Sequence, residues 1–105
     1  LPLILPHESE DIYSSYHLFI IRLNKKIIQK SHKKIFKELQ NNGIYVGMHY
    51  IPIYKQFYFK KMQINEKNFV NTNDYYNSAI SIPIFEKLSR SSQDHIAKVL
   101  KKVIE

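Results

Sequence analysis

Tyr16-His17-Leu18-Phe19-Ile20-Ile21-Arg22-Leu23 is the stretch from which the fold is read. Aromatic and β-branched side chains crowd it, and Ser14-Ser15 and Asn24-Lys25 bound it, so it is predicted to be a mostly buried strand. Downstream, from Lys30 to Asn42, Ile35, Phe36 and Leu39 recur at helical spacing among lysines. Ser31 is a plausible cap for that helix and Asn42-Gly43 its stop. Ile44-Tyr45-Val46-Gly47-Met48-His49-Tyr50-Ile51 reads as a second strand, ended by Pro52, which has no N–H to give to a ladder. The crowded segment Tyr54 to Met62 suggests one or two helical turns. Asn71-Thr72-Asn73-Asp74 supplies capping chemistry ahead of a short helix over 75–79, and Ile80-Ser81-Ile82-Pro83-Ile84 alternates as a third strand. A last helix is expected to open at Ser91, with Asp94 three residues on, and to bury the stripe Ile96, Val99, Leu100 and Val103.

This order predicts an α+β domain: a small three-stranded mixed or antiparallel sheet with helices packed on one face. The right-handed crossover rule makes the first two strands parallel, and the third can run antiparallel between them. The opening Leu1-Pro2-Leu3-Ile4-Leu5-Pro6 carries two prolines four residues apart, which rules out a regular helix. Residues 1–13 are therefore expected to be a connector, and a start without Met fits a chain cut from a longer one.

With 105 residues the chain has room for one domain and one modest core, and a self-sufficient cofactor enzyme at this length would be unusual. Hydrophobic residues are 44% of the chain, the content of a folded domain and not of a disordered tail. A net charge of +7 invites a nucleic-acid reading, yet only Arg22 and Arg90 among the 16 basic residues carry the guanidinium fork that base and phosphate recognition favours. A solvated basic face is the better account, and no nucleic-acid partner is expected. The absence of cysteine excludes disulfides, thiolate metal sites and a thiol nucleophile. Apolar runs such as Leu18 to Ile21 fall far short of a membrane span, so no membrane partner is expected and a cytoplasmic setting is the default.

The five histidines form no metal-ligand spacing. His32 and His95 are expected on helix surfaces, and His17 inside the first strand. No glycine-rich phosphate loop, nucleophile elbow or carboxylate pair occurs, and no lysine has the apolar surroundings that would prepare it for Schiff-base chemistry. The concentrated signal is His49-Tyr50-Ile51-Pro52-Ile53-Tyr54-Lys55-Gln56-Phe57-Tyr58. A histidine and polar aromatics leaving a strand end into a proline-stiffened turn can form a ligand edge. From the residues alone, an aromatic mini-core is equally open.

In order and spacing, the strand from Tyr16 to Leu23, Phe36-Lys37-Glu38-Leu39 running to Gly43-Ile44, the His49-to-Tyr54 stretch and Ser81-Ile82-Pro83-Ile84-Phe85 resemble the C-terminal domain of the DegT/DnrJ/EryC1/StrS sugar aminotransferases. Within that family, Gln56-Phe57-Tyr58 and the pair Tyr75-Tyr76 are most similar to the branch working in pseudaminic acid biosynthesis. The resemblance implies that residues 1–105 are the C-terminal small domain of a fold-type I aminotransferase dependent on pyridoxal phosphate (PLP), active as a homodimer. It implies amination of a UDP-4-keto-6-deoxy sugar with glutamate as donor, and a missing N-terminal domain that holds PLP and the catalytic lysine. This chain would then have no catalytic residue and be inactive alone. His49, Tyr50, Tyr54 and Gln56 would lie on the substrate side, with His17 supporting the interface. Two alternatives stand beside it: a small basic module binding nucleic acid or protein through the Tyr54 to Met62 segment, and an oligomerisation domain, favoured if His49 and Tyr54 are packed inside.

Overall fold

Alternation along two strands sets the architecture. In the computed structural model, which describes residues 1–105, Phe19–Leu23 (β2) and Ala79–Ile82 (β3) pair antiparallel, with Ile21 opposite Ile80 and Phe19 opposite Ile82. Successive strand residues point to opposite faces. Phe19, Ile21, Leu23, Ile80 and Ile82 therefore share one face, and all five belong to or pack against the hydrophobic core. The opposite face carries Ile20, Arg22, Ala79 and Ser81. Leu3–Ile4 (β1) pairs antiparallel with β2, Leu3 opposite Leu23, so the sheet order is β1-β2-β3. The expected connector thus contributes an edge strand, a position where the flanking prolines cost no ladder bond.

Helix His32–Asn41 (α1) covers the apolar face with Ile35 and Leu39, both fully buried. Ser31 caps it by accepting a hydrogen bond from the Lys34 N–H, and Gly43 ends it at a φ of +78° that side chains disfavour. Arg90–Ile104 (α4) packs beside α1 and buries Ile96, Val99, Leu100, Val103 and Ile104. Full burial of each such side chain stabilises by about 1.5–3 kcal/mol. Lys30 ties the two helices together: its ammonium bonds the Glu38 carboxylate at 3.1 Å and the Val103 carbonyl at 2.5 Å, a cation at the C-terminal end of α4.

Between the helices lies an irregular excursion. The short helix Phe57–Lys60 (α2) is flanked by single 3₁₀ turns at Ile53–Lys55 and Glu66–Asn68, and Val70–Tyr76 (α3) leads back into β3.

Several expectations change. The second predicted strand does not form a ladder: only Gly47 pairs, antiparallel to Ser81, with both backbone bonds at 2.9 Å. Even so, this bridge puts β3 between β2 and the Gly47 segment, the order that the crossover rule anticipated. Beyond it the chain turns off toward Pro52, which can give nothing to a ladder. His17 lies before β2 and is exposed. His32 is half-buried, its Nε2 lying 2.8 Å from the Ala79 carbonyl, because the first turn of α1 abuts the β3 edge. Asn71 to Asp74 lie within α3, and the cap of α4 is Ser89, which accepts from the Ser92 N–H.

Candidate functional site

The His49 to Tyr58 segment is held by two inward anchors and presents its other polar groups outward. The first anchor is built on Ser81, the one polar side chain in Ile80-Ser81-Ile82. Pairing with Gly47 fixes the Ser81 backbone, and the Ser81 hydroxyl lies 2.7 Å from His49 Nδ1. The imidazole lies so close over the backbone that a Cβ at Gly47 would fall 2.7 Å from His49 Cε1. Glycine is needed here for space, not for its φ. The Tyr50 ring meets the His49 ring edge-on at 4.8 Å between centroids.

The second anchor is Tyr54. Its side chain is only 7% exposed and stacks on Phe69 at 5.2 Å, and its hydroxyl donates to Asn73 Oδ1. Asn73 Nδ2 in turn donates to the Glu66 carbonyl at 2.7 Å, and Lys55 pairs with the Glu66 carboxylate at 3.3 Å. Tyr54 therefore pins the excursion onto α3, and its hydroxyl is already engaged.

Tyr50 and Gln56 are placed differently. Tyr50 is 72% exposed. Gln56 is exposed at the N-cap of α2, yet its side chain makes no capping bond, which leaves the carboxamide available. Ile51, Ile53, Phe57 and Tyr58 are exposed around them. Of the four residues singled out from sequence, two hold the turn and two form its outer edge. The aromatic mini-core is thus the inner side of the turn, and its outer side carries the exposed polar tips that a ligand edge would need.

Gly47, Ser81 and Asn73 escaped the sequence reading. Only the lone polar residue in a buried strand could have signalled Ser81. Arg22 was read as part of a strand, but it faces away from the core and joins Asp74 at 2.6 Å, Ser78 Oγ at 3.3 Å and the Tyr75 ring. A groove of about 890 Å³ lies elsewhere, along α1, with Lys25, Lys33 and Lys37 among its lining residues, and approaches the candidate turn through Met48.

No three His, Asp or Glu side chains converge as metal ligands, and no helix is long and apolar enough to cross a membrane. The chain's own residues do not fit PLP. A cofactor held through a lysine needs a sequestered amine free to react, whereas the half-buried amines of Lys30 and Lys55 are ion-paired to Glu38 and Glu66.

Known proteins match nearly the whole chain. A spore coat polysaccharide biosynthesis protein of Bacillus subtilis, SpsC, is 22% identical over 105 residues. The UDP-4-amino-4,6-dideoxy-N-acetyl-beta-L-altrosamine transaminase of Helicobacter pylori is 32% identical over 92 residues. These alignments cover 98% and 88% of this chain but 27% and 24% of those proteins. Among solved structures, Spr1654 of Streptococcus pneumoniae, named as a sugar aminotransferase and solved in a PMP form, superposes with a TM-score of 0.86 at 26% identity. PseC of Helicobacter pylori, an aminotransferase involved in the biosynthesis of pseudoaminic acid, superposes with a TM-score of 0.77 at 28% identity. They are covered over 26% and 24% of their length, and 97% and 87% of this chain is aligned. The chain thus spans about a quarter of the proteins it matches. Residues 1–101 match the DegT/DnrJ/EryC1/StrS aminotransferase family, and the chain belongs to that family.

Proposed function

We propose that this chain is the C-terminal small domain of a PLP-dependent sugar aminotransferase, and that its His49 to Gln56 turn forms the sugar-facing edge of the active-site cleft. The observation that carries this reading is the two-sided turn: Ser81 and Asn73 hold His49 and Tyr54 from within, while Tyr50 and Gln56 are left without partners on the outside. Polar tips on a rigid support suit the recognition of a sugar, whose hydroxyls and amides need donors and acceptors at fixed positions.

The resemblance to enzymes of pseudaminic acid biosynthesis supports a UDP-4-keto-6-deoxy sugar as acceptor and glutamate as amine donor. It supports a cytoplasmic homodimer as well. PLP, when bound to the large N-terminal domain, supplies the electron sink for moving an amino group. This chain's part is binding and orientation: Tyr50 and Gln56 reach for the sugar, His49 offers an imidazole nitrogen beside them, and Tyr54 keeps the edge in place. The exposed apolar groups Ile51, Ile53, Phe57 and Tyr58 would be covered by the large domain or the partner subunit.

A chain of this kind has no transamination chemistry of its own. Incubated with PLP, glutamate and a UDP-4-keto-6-deoxy sugar, the 105-residue chain should yield no amino sugar by mass spectrometry. Accumulation of amino sugar with this chain alone would overturn the proposal.

A further inference from the structure

Ser81 is a buried polar residue on the sheet face it shares with Ile20, Arg22 and Ala79, and it is 5% exposed. Its backbone is held on one side by β2, opposite Ile20, and on the other by the two-way bridge to Gly47. Its hydroxyl has a single partner, His49 Nδ1 at 2.7 Å. Gly47 contributes the space. The three nearest atoms that a Cβ built at Gly47 would meet, its chain neighbours apart, all belong to the His49 ring: Cε1 at 2.7 Å, Nδ1 at 3.3 Å and Nε2 at 3.6 Å. A side chain there would first meet the imidazole, which would have to move.

From this geometry we infer that Gly47 and Ser81 are positioning residues for His49: the glycine admits the imidazole over the backbone bridge, and the serine hydroxyl engages Nδ1, leaving Nε2 as the nitrogen offered at the turn. A ring nitrogen's role is set by the bond its twin makes. Engaging Nδ1 fixes the ring's orientation, so Nε2 meets a ligand from a defined direction; the hydroxyl can donate to or accept from Nδ1, so either neutral tautomer keeps this placement. The use made of Nε2 rests on the proposed sugar-facing function; the positioning itself does not.

Long-range ¹H–¹⁵N spectra of the histidine rings in the ¹⁵N-labelled chain, taken where the rings are neutral, test the geometry without any substrate. Exposed His7, His17 and His95 report free rings, and His32, beside the Ala79 carbonyl, reports a fixed one. His49 is expected to show ring shifts displaced from those of the exposed rings by its contact with Ser81. In Ser81→Ala and Gly47→Ala it should move to the averaged pattern of the exposed rings, while His32 and the backbone amide spectrum stay as they were. A His49 pattern that matches the exposed rings in the unaltered chain would overturn the positioning claim, as would one that survives both substitutions. Should Gly47→Ala fail to fold, Ser81→Ala decides, since removing one hydroxyl adds no bulk. In the full-length aminotransferase the same substitutions should lower kcat/KM for the sugar by on the order of 10- to 100-fold, the scale of a misplaced contact. Unchanged kinetics with a released His49 would overturn the use of Nε2 at the sugar and leave the ring geometry standing.

Discussion

Tyr54 and Tyr50, four residues apart, show how little residue type alone decides. Both are tyrosines in one aromatic stretch, yet Tyr54 is buried against Phe69 and Tyr50 projects into solvent. The buried phenol found a partner in Asn73, as buried hydroxyls must. Removing that hydroxyl should therefore weaken the domain: Tyr54→Phe is expected to cost about 1 kcal/mol, the net worth of one hydrogen bond, read as a lower urea midpoint at unchanged slope. Tyr50→Phe should leave the midpoint in place, with a change within about 0.5 kcal/mol. Equal losses from the two substitutions would contradict the assignment of one tyrosine to support and the other to recognition. In the sequence these residues could be named as a group but not divided, because the division depends on Asn73 and Phe69, which α3 brings in from 15 or more residues away.

Helices were more legible than strands, for a physical reason. The burial pattern of α1 and its Ser31 cap follow from spacing along 10 residues, with no need for distant partners. The Ile96 to Val103 stripe of α4 was legible in the same way. The cap of α4 was not, since Ser89-Arg90-Ser91-Ser92 offers three serines and only backbone geometry selects among them. Ser89 accepts from the Ser92 N–H at 3.1 Å, and Ser91 lies inside the first turn. Ser89→Ala should cost about 1 kcal/mol in thermal or urea unfolding, and Ser91→Ala less than half of that. Strands depend on partners elsewhere in the chain. Ile44 to Ile51 has the composition of a strand and sits beside β3, yet only Gly47 pairs, because the segment turns His49 inward to Ser81 and then meets Pro52. Conversely, Leu3–Ile4, expected to lie in a connector, found the free edge of β2.

At the scale of the molecule, a 13-residue core between one sheet face and two helices accounts for the fold, and the irregular excursion from Ile44 to Tyr76 carries the proposed site. The family was legible in the sequence from four short motifs in order and spacing, although overall identity to the relatives is 22–32%. The candidate site was legible as a stretch of sequence but not as an arrangement, since Ser81 was signalled only as the lone polar residue of a buried strand and Gly47 gains its meaning from the His49 ring that folds over it. The central claim is that the outer edge of this turn recognises the sugar and takes no part in accepting the amino group from glutamate. Separate half-reactions of the full-length aminotransferase resolve the two. In a Tyr50→Phe, Gln56→Ala double variant, kcat/KM for the UDP-4-keto-6-deoxy sugar should fall by at least about 10-fold, the equivalent of one lost hydrogen bond, with the glutamate half-reaction within about 2-fold of wild type. Equal losses in both half-reactions, or no loss in either, would contradict it.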